Sequence, residues 1–107
     1  MSVGVMMYDN KTDQLISNYS FPVSTEEFFI KYWQTAIDEL GIKRIQNGIE
    51  LRESELAEAL NELDKLENWA KSNLTGENLE YMVTRIELMQ SELPVAFQRK
   101  DIYLWIG

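Results

Sequence analysis

The sequence predicts an α+β fold: a small antiparallel sheet from an N-terminal hairpin and a C-terminal strand, packed with three helices that include an antiparallel helical hairpin. Three observations carry this. Near the start, Val3, Val5 and Met7 alternate with Gly4, Met6 and Tyr8, the two-residue period of a strand. The middle of the chain repeats apolar residues at three- and four-residue spacing, the period of a helix. The last stretch, Ile102-Tyr103-Leu104-Trp105-Ile106, is apolar on both faces, as in a central strand covered on both sides.

Each element can be justified in turn. Residues 3–8 and 14–22 read as the hairpin, joined by the polar turn Asp9-Asn10-Lys11-Thr12-Asp13. That turn has oxygens at calcium-like spacing but lacks the central glycine and closing glutamate of an EF-hand loop, so it is expected to be only a turn. The first helix should begin at Ser24, with Glu27 completing a capping box and Val23 and Phe28 forming a hydrophobic staple. Gly41 should end it. Its stripe is Phe29, Trp33, Ala36, Ile37 and Leu40, widened by Phe28, Ile30 and Tyr32. A helix this apolar is either deeply buried or covered by a partner.

Residues 42–51 are open between a short hairpin, signalled by Asn47-Gly48, and an irregular connection. The second helix runs from about Glu53 to Lys71, with Leu56, Ala59, Leu60, Leu63, Leu66 and Ala70 inward. The third runs from about Gly76 to Leu93 after Thr75 as N-cap, with Leu79, Met82, Val83, Ile86, Met89 and Leu93 inward. The short link between them makes an antiparallel pair. Pro94 is expected to stop the third helix, leaving Val95-Ala96-Phe97 to pair with the last strand. That last strand could also lie at a sheet edge open to another chain.

The 107 residues fit one domain, 1–107. Three Trp, five Tyr and four Phe supply a core and argue against disorder. No cysteine is present, which excludes disulfides, thiolate metal sites and a cysteine nucleophile. Without a basic leader or a long apolar run, the expected location is cytoplasmic, with no membrane contact. The N-x-[ST] matches at Asn10, Asn18 and Asn73 then carry no glycan. Net charge is −8, and residues 50–92 hold eleven acids against four bases. Such a field disfavours direct nucleic-acid binding and attracts a basic protein.

There is no histidine, so Ser-His-Asp and Cys-His chemistry is impossible. The isolated glycines form no phosphate loop. Carboxylates remain, densest on the second helix, where Glu55, Glu58 and Glu62 fall in one row with Trp69. A solvated helix face, a partner surface and a metal site are the three readings of that row. Glu55-x-x-Glu58 resembles the helical carboxylate pairs that hold Mg²⁺ in all-α nucleotide pyrophosphohydrolases of the MazG type. That resemblance implies a Mg²⁺- or Mn²⁺-dependent nucleotide hydrolase with a second acidic pair on a facing helix. Here Glu80 and Glu87 are seven residues apart, and terminal strands depart from an all-α fold.

The expectation is therefore a non-catalytic protein-binding module with no cofactor: an acidic inhibitor or immunity-type protein masking a basic partner through Glu55, Glu58, Glu62 and Trp69. The alternatives are the carboxylate-dependent hydrolase and a structural homodimer.

Overall fold

Alternating apolar residues at both chain ends meet in one antiparallel sheet of strand order β2-β1-β4-β3. The computed structural model describes residues 1–107. The strands are β1 (Ser2–Asp9), β2 (Leu15–Thr25), β3 (Ile49–Leu51) and β4 (Ile102–Ile106). Val5 and Ile49 stand opposite Ile106, while Met7 and Leu51 stand opposite Leu104. Val5, Met7, Leu51, Leu104 and Ile106 join one 25-residue core cluster with the apolar faces of the helices, and Ile49 packs against it half-buried. The last strand is thus central, between β1 and β3, and the edge-strand alternative is overturned.

The first helix is continuous over residues 26–40 but not uniform. It comprises α1 (Glu26–Phe28), a π-helical turn (Phe29–Trp33) and α2 (Gln34–Leu40). Its cap lies one residue later than the capping-box spacing suggests. β2 runs through Ser24, which is buried and whose hydroxyl donates to the carbonyl of Thr25 at 2.8 Å. Thr25 caps instead, its Oγ1 accepting from the N–H of Phe28 at 3.3 Å. The π turn lies where Phe29 and Trp33, both buried, stack at 5.7 Å. Gly41 ends the helix at φ +68°, a left-handed conformation that suits glycine. Leu40 is 37% exposed, so the stripe thins at this end.

Residues 42–48 form no hairpin. Ile42 and Ile45 are buried in the core, and the N–H of Gly48 donates to the carbonyl of Ile106 at 2.6 Å. The chain then enters β3 against β4 rather than folding back on itself. A 3-10 turn (Glu53–Glu55) leads into α3 (Leu56–Asn73), which packs antiparallel on α4 (Gly76–Ala96) as expected.

Pro94 does not stop α4, which continues to Ala96. Val95, Ala96 and Phe97 therefore form no strand. Proline removes one helical hydrogen bond, but continuing the helix buries Leu93, Ala96 and Phe97 in the core, and that gain wins. No helix is long and apolar enough to cross a membrane.

Leu104 is fully buried at the centre of the sheet. Its replacement by Ala should lower unfolding stability by about 2–5 kcal/mol, measured by urea denaturation at an unchanged slope.

Candidate functional site

The spacing of Glu55, Glu58 and Glu62 does place them together, but against another part of the same chain. Glu62 is only 6% exposed. Its Oε2 accepts from the N–H of Lys43 at 2.7 Å, and its Oε1 accepts from the N–H groups of Arg44 at 2.8 Å and Ile45 at 3.1 Å. One carboxylate thus satisfies three successive backbone donors that no helix or ladder serves, as a buried charge must if it is to persist.

The Arg44 side chain closes the arrangement. Its Nε donates to Glu58 Oε2 and its Nη1 to Glu55 Oε2, each at 2.7 Å. The hydrogen bond to Glu58 raises the guanidinium pKa above its ordinary value against the opposing effect of burial, and the charges of Glu55, Glu58 and Glu62 add to the rise. Glu55 also caps the turn that precedes α3, its Oε1 accepting from the N–H of Arg52 at 2.8 Å. The row therefore clasps the segment 43–45.

Trp69 is 9% exposed, and its indole Nε1 donates to Glu39 Oε2 at 2.7 Å. It ties α3 to the end of the first helix. Beside it lies an open hollow of about 330 Å³ lined by Leu40, Lys65, Asn68, Trp69, Ser72 and Asn73. The Glu55–Glu58 pair that resembles a metal-binding motif holds a guanidinium, and no cluster of three or more Asp or Glu side chains comes together to hold a metal ion. In the β1–β2 turn, Asp9 Oδ1 accepts from the N–H groups of Lys11 and Thr12, and Asp13 Oδ1 accepts from the hydroxyl of Tyr103 at 2.9 Å.

Two further surfaces carry aromatic side chains in contact with one another. The outer face of the sheet carries Met6 opposite Trp105 and Tyr8 opposite Tyr103. The two tyrosine rings stack at 5.4 Å, and the Arg52 guanidinium lies 4.9 Å from the Tyr103 ring centroid. Burial, then donation to Asp13, raises the Tyr103 pKa; burial, then the charge of Glu92, raises that of Tyr19.

The other surface lies where the start of the first helix meets the start of α4. The Phe28 ring sits 4.7 Å from both Tyr32 and Tyr81. Asn78 Nδ2 donates to the Tyr32 hydroxyl at 3.0 Å, and the Tyr81 hydroxyl accepts from the N–H of Thr25 at 3.1 Å. A hollow of about 270 Å³ is lined by Thr25, Glu27, Phe28, Lys31, Tyr32 and Asn78. A second, of about 570 Å³, is lined by Met1, Thr25, Glu26, Glu27 and Ile30. Glu26 and Glu27 line these hollows, and Glu77 and Glu80 precede Asn78 and Tyr81 on α4; all four are exposed, and none takes part in an ion pair. The sequence signal for this surface is the widening of the first helix's stripe by Phe28, Ile30 and Tyr32.

Comparison with protein-family models, with curated proteins and with solved structures gave no match.

Two predictions arise from this geometry. Glu62→Ala strands three N–H groups and should lower stability by about 3 kcal/mol or more. Arg44→Met, which leaves those three bonds in place, should cost clearly less in the same urea titration. For Tyr103, the folded pKa lies above the unfolded value of 10.0. The stability it contributes is present below that pH and is lost as pH rises through the folded value. Tyr103→Phe should remove a late-ionising component from the ultraviolet titration and flatten the alkaline loss of stability.

Proposed function

We propose that the chain is a non-catalytic protein-binding module, an acidic inhibitor or immunity-type protein that covers a basic surface on its partner. One observation supports this reading: Glu26 and Glu27, outside any ion pair, line hollows shared with exposed Ile30 and half-buried Phe28 and Tyr32 at the junction of the first helix and α4. There Glu26, Glu27, Glu77 and Glu80 supply charge to steer a basic partner, while Phe28, Ile30 and Tyr32 supply apolar contact. Charge at the rim of an interface governs encounter rate and salt dependence, and apolar anchors hold the complex.

The acidic row on α3 contributes differently. Glu62 is enclosed, and Glu55 and Glu58 are neutralised by Arg44. Its part in binding is to hold the scaffold. The same pairing favours binding over metal-dependent hydrolysis, because the two carboxylates nearest to a metal motif already hold a cation.

The test is affinity capture with the tagged chain at about 50 mM and about 500 mM salt, where the Debye length falls from above 10 Å to a few ångströms. A basic protein held at low salt and lost at high salt is the expected result. Reversal of Glu26, Glu27, Glu77 and Glu80 to Lys should abolish the capture, while reversal of exposed Glu53 and Asp64 should weaken it far less. Equal loss from both variants would reduce the association to net charge. Retention by the fourfold variant, or no capture at either salt with a dimer mass in light scattering, would overturn the reading.

A further inference from the structure

The groove at this junction is specific enough to describe what enters it, on the premise that the chain binds a basic protein. We infer that the partner inserts a short segment in which an aliphatic side chain is flanked by Lys or Arg, and that it lies across the start of the first helix from Ile30 to Tyr32.

The apolar part comes first. Ile30 is 62% exposed and Met1 is fully exposed, and both line the larger hollow. The smaller hollow has Phe28 and Tyr32 in its wall. The two share Thr25 and Glu27, so they adjoin and together give a groove with an aliphatic end and an aromatic end. A side chain set between Met1 and Ile30 would remove apolar surface from water on both sides, which favours association.

Charge selects the flanking residues. Glu26 and Glu27 stand on the rim of the aliphatic end with no base paired to either. The one base lining either hollow, Lys31, has its Nζ 5.3 Å from the Tyr32 ring centroid. An incoming Lys or Arg therefore meets unpaired carboxylates beside Ile30 at the aliphatic end, while the Tyr32 face is already taken by Lys31. An acidic segment would meet the same two carboxylates with Lys31 alone to offset them.

Two other open surfaces fit a basic segment less well. The hollow beside Trp69 is lined by Lys65 and by no carboxylate. On the outer sheet face, Arg52 covers Tyr103 and pairs with Glu50 at 3.0 Å, so its charge is already balanced.

The experiment uses the ¹⁵N-labelled full chain at low salt and two blocked hexapeptides, one alternating lysine with leucine and the other glutamate with leucine. Titration with the lysine peptide should move the amide signals of Phe28, Ile30, Tyr32 and Asn78, and the glutamate peptide should leave them in place. Ile30→Ser should weaken the lysine peptide about tenfold, the scale of one lost apolar anchor, and Glu27→Lys should weaken it by a similar factor. Both positions are exposed, and an unchanged thermal melt will show that the fold is kept. Shifts centred on Met6, Tyr8 and Trp105, or spread evenly over the acidic surface, would overturn the inference. So would Ile30→Ser binding as the parent chain does. A basic partner captured by the parent and by Ile30→Ser alike would leave the binding reading standing and remove only the groove.

Discussion

The carboxylate of Glu62 accepts the backbone N–H groups of Lys43, Arg44 and Ile45, and the way the helices meet the sheet depends on that contact. The segment it holds leaves the first helix at Gly41 and must deliver the chain to β3. With its donors turned toward α3, it has no ladder to join and stays irregular. Ile42 and Ile45 are then set into the core, and Gly48 reaches Ile106. β3 aligns with β4 from there. A hydrophobic contact alone would fix this segment less sharply, because apolar burial has no direction. Three charge-assisted bonds to one enclosed carboxylate do have direction. Arg44 completes the clasp from outside, where solvent screening makes each ion pair worth less.

This dependence also explains what could and could not be read from the sequence. Terminal strands, the helical hairpin and the cap at Gly41 were legible because each rests on a local pattern: alternation, a three-four stripe, a glycine at positive φ. The exceptions are places where packing outweighs a local rule. Pro94 stays helical because Phe97 has a buried place to reach. Asn47-Gly48 makes no hairpin because Ile49 and Leu51 find better partners on β4 than on residues just upstream. Ser24 was the wrong cap because β2 extends through it, and nothing local marks where a strand paired with Val3 will end.

The acidic row shows the same limit at the level of the site. Helical spacing fixes which side of α3 carries Glu55, Glu58 and Glu62, but not what stands opposite. What stands opposite is residues 43–45, between 11 and 19 positions away in the relevant hydrogen bonds, with Arg44 supplying the basic group that a partner would otherwise bring. A charged row beside a tryptophan looks the same in sequence whether its counter-charge comes from the same chain or another. Trp69 is a similar case: its indole meets Glu39, far along the chain and on a different helix.

Free charge and exposed apolar surface are each common on a protein, and neither alone identifies a contact. Their coincidence is more informative, because each corrects what the other lacks. Carboxylates steer a basic partner from a distance but hold it weakly in water. Aliphatic and aromatic side chains hold a partner once it arrives but do not choose its charge. On α3 the charge is present without the apolar surface, and is balanced from within. On the outer sheet face the aromatic surface is present with its charge already balanced by Arg52 and Glu50. At the start of the first helix both occur together, and Glu26 and Glu27 have no ion-pair partner. The π turn follows immediately, and it sends Phe29 and Trp33 into the core while Phe28, Ile30 and Tyr32 remain at or near the surface. The helix thus divides an apolar sequence into a part that holds the fold and a part that stays at or near the surface.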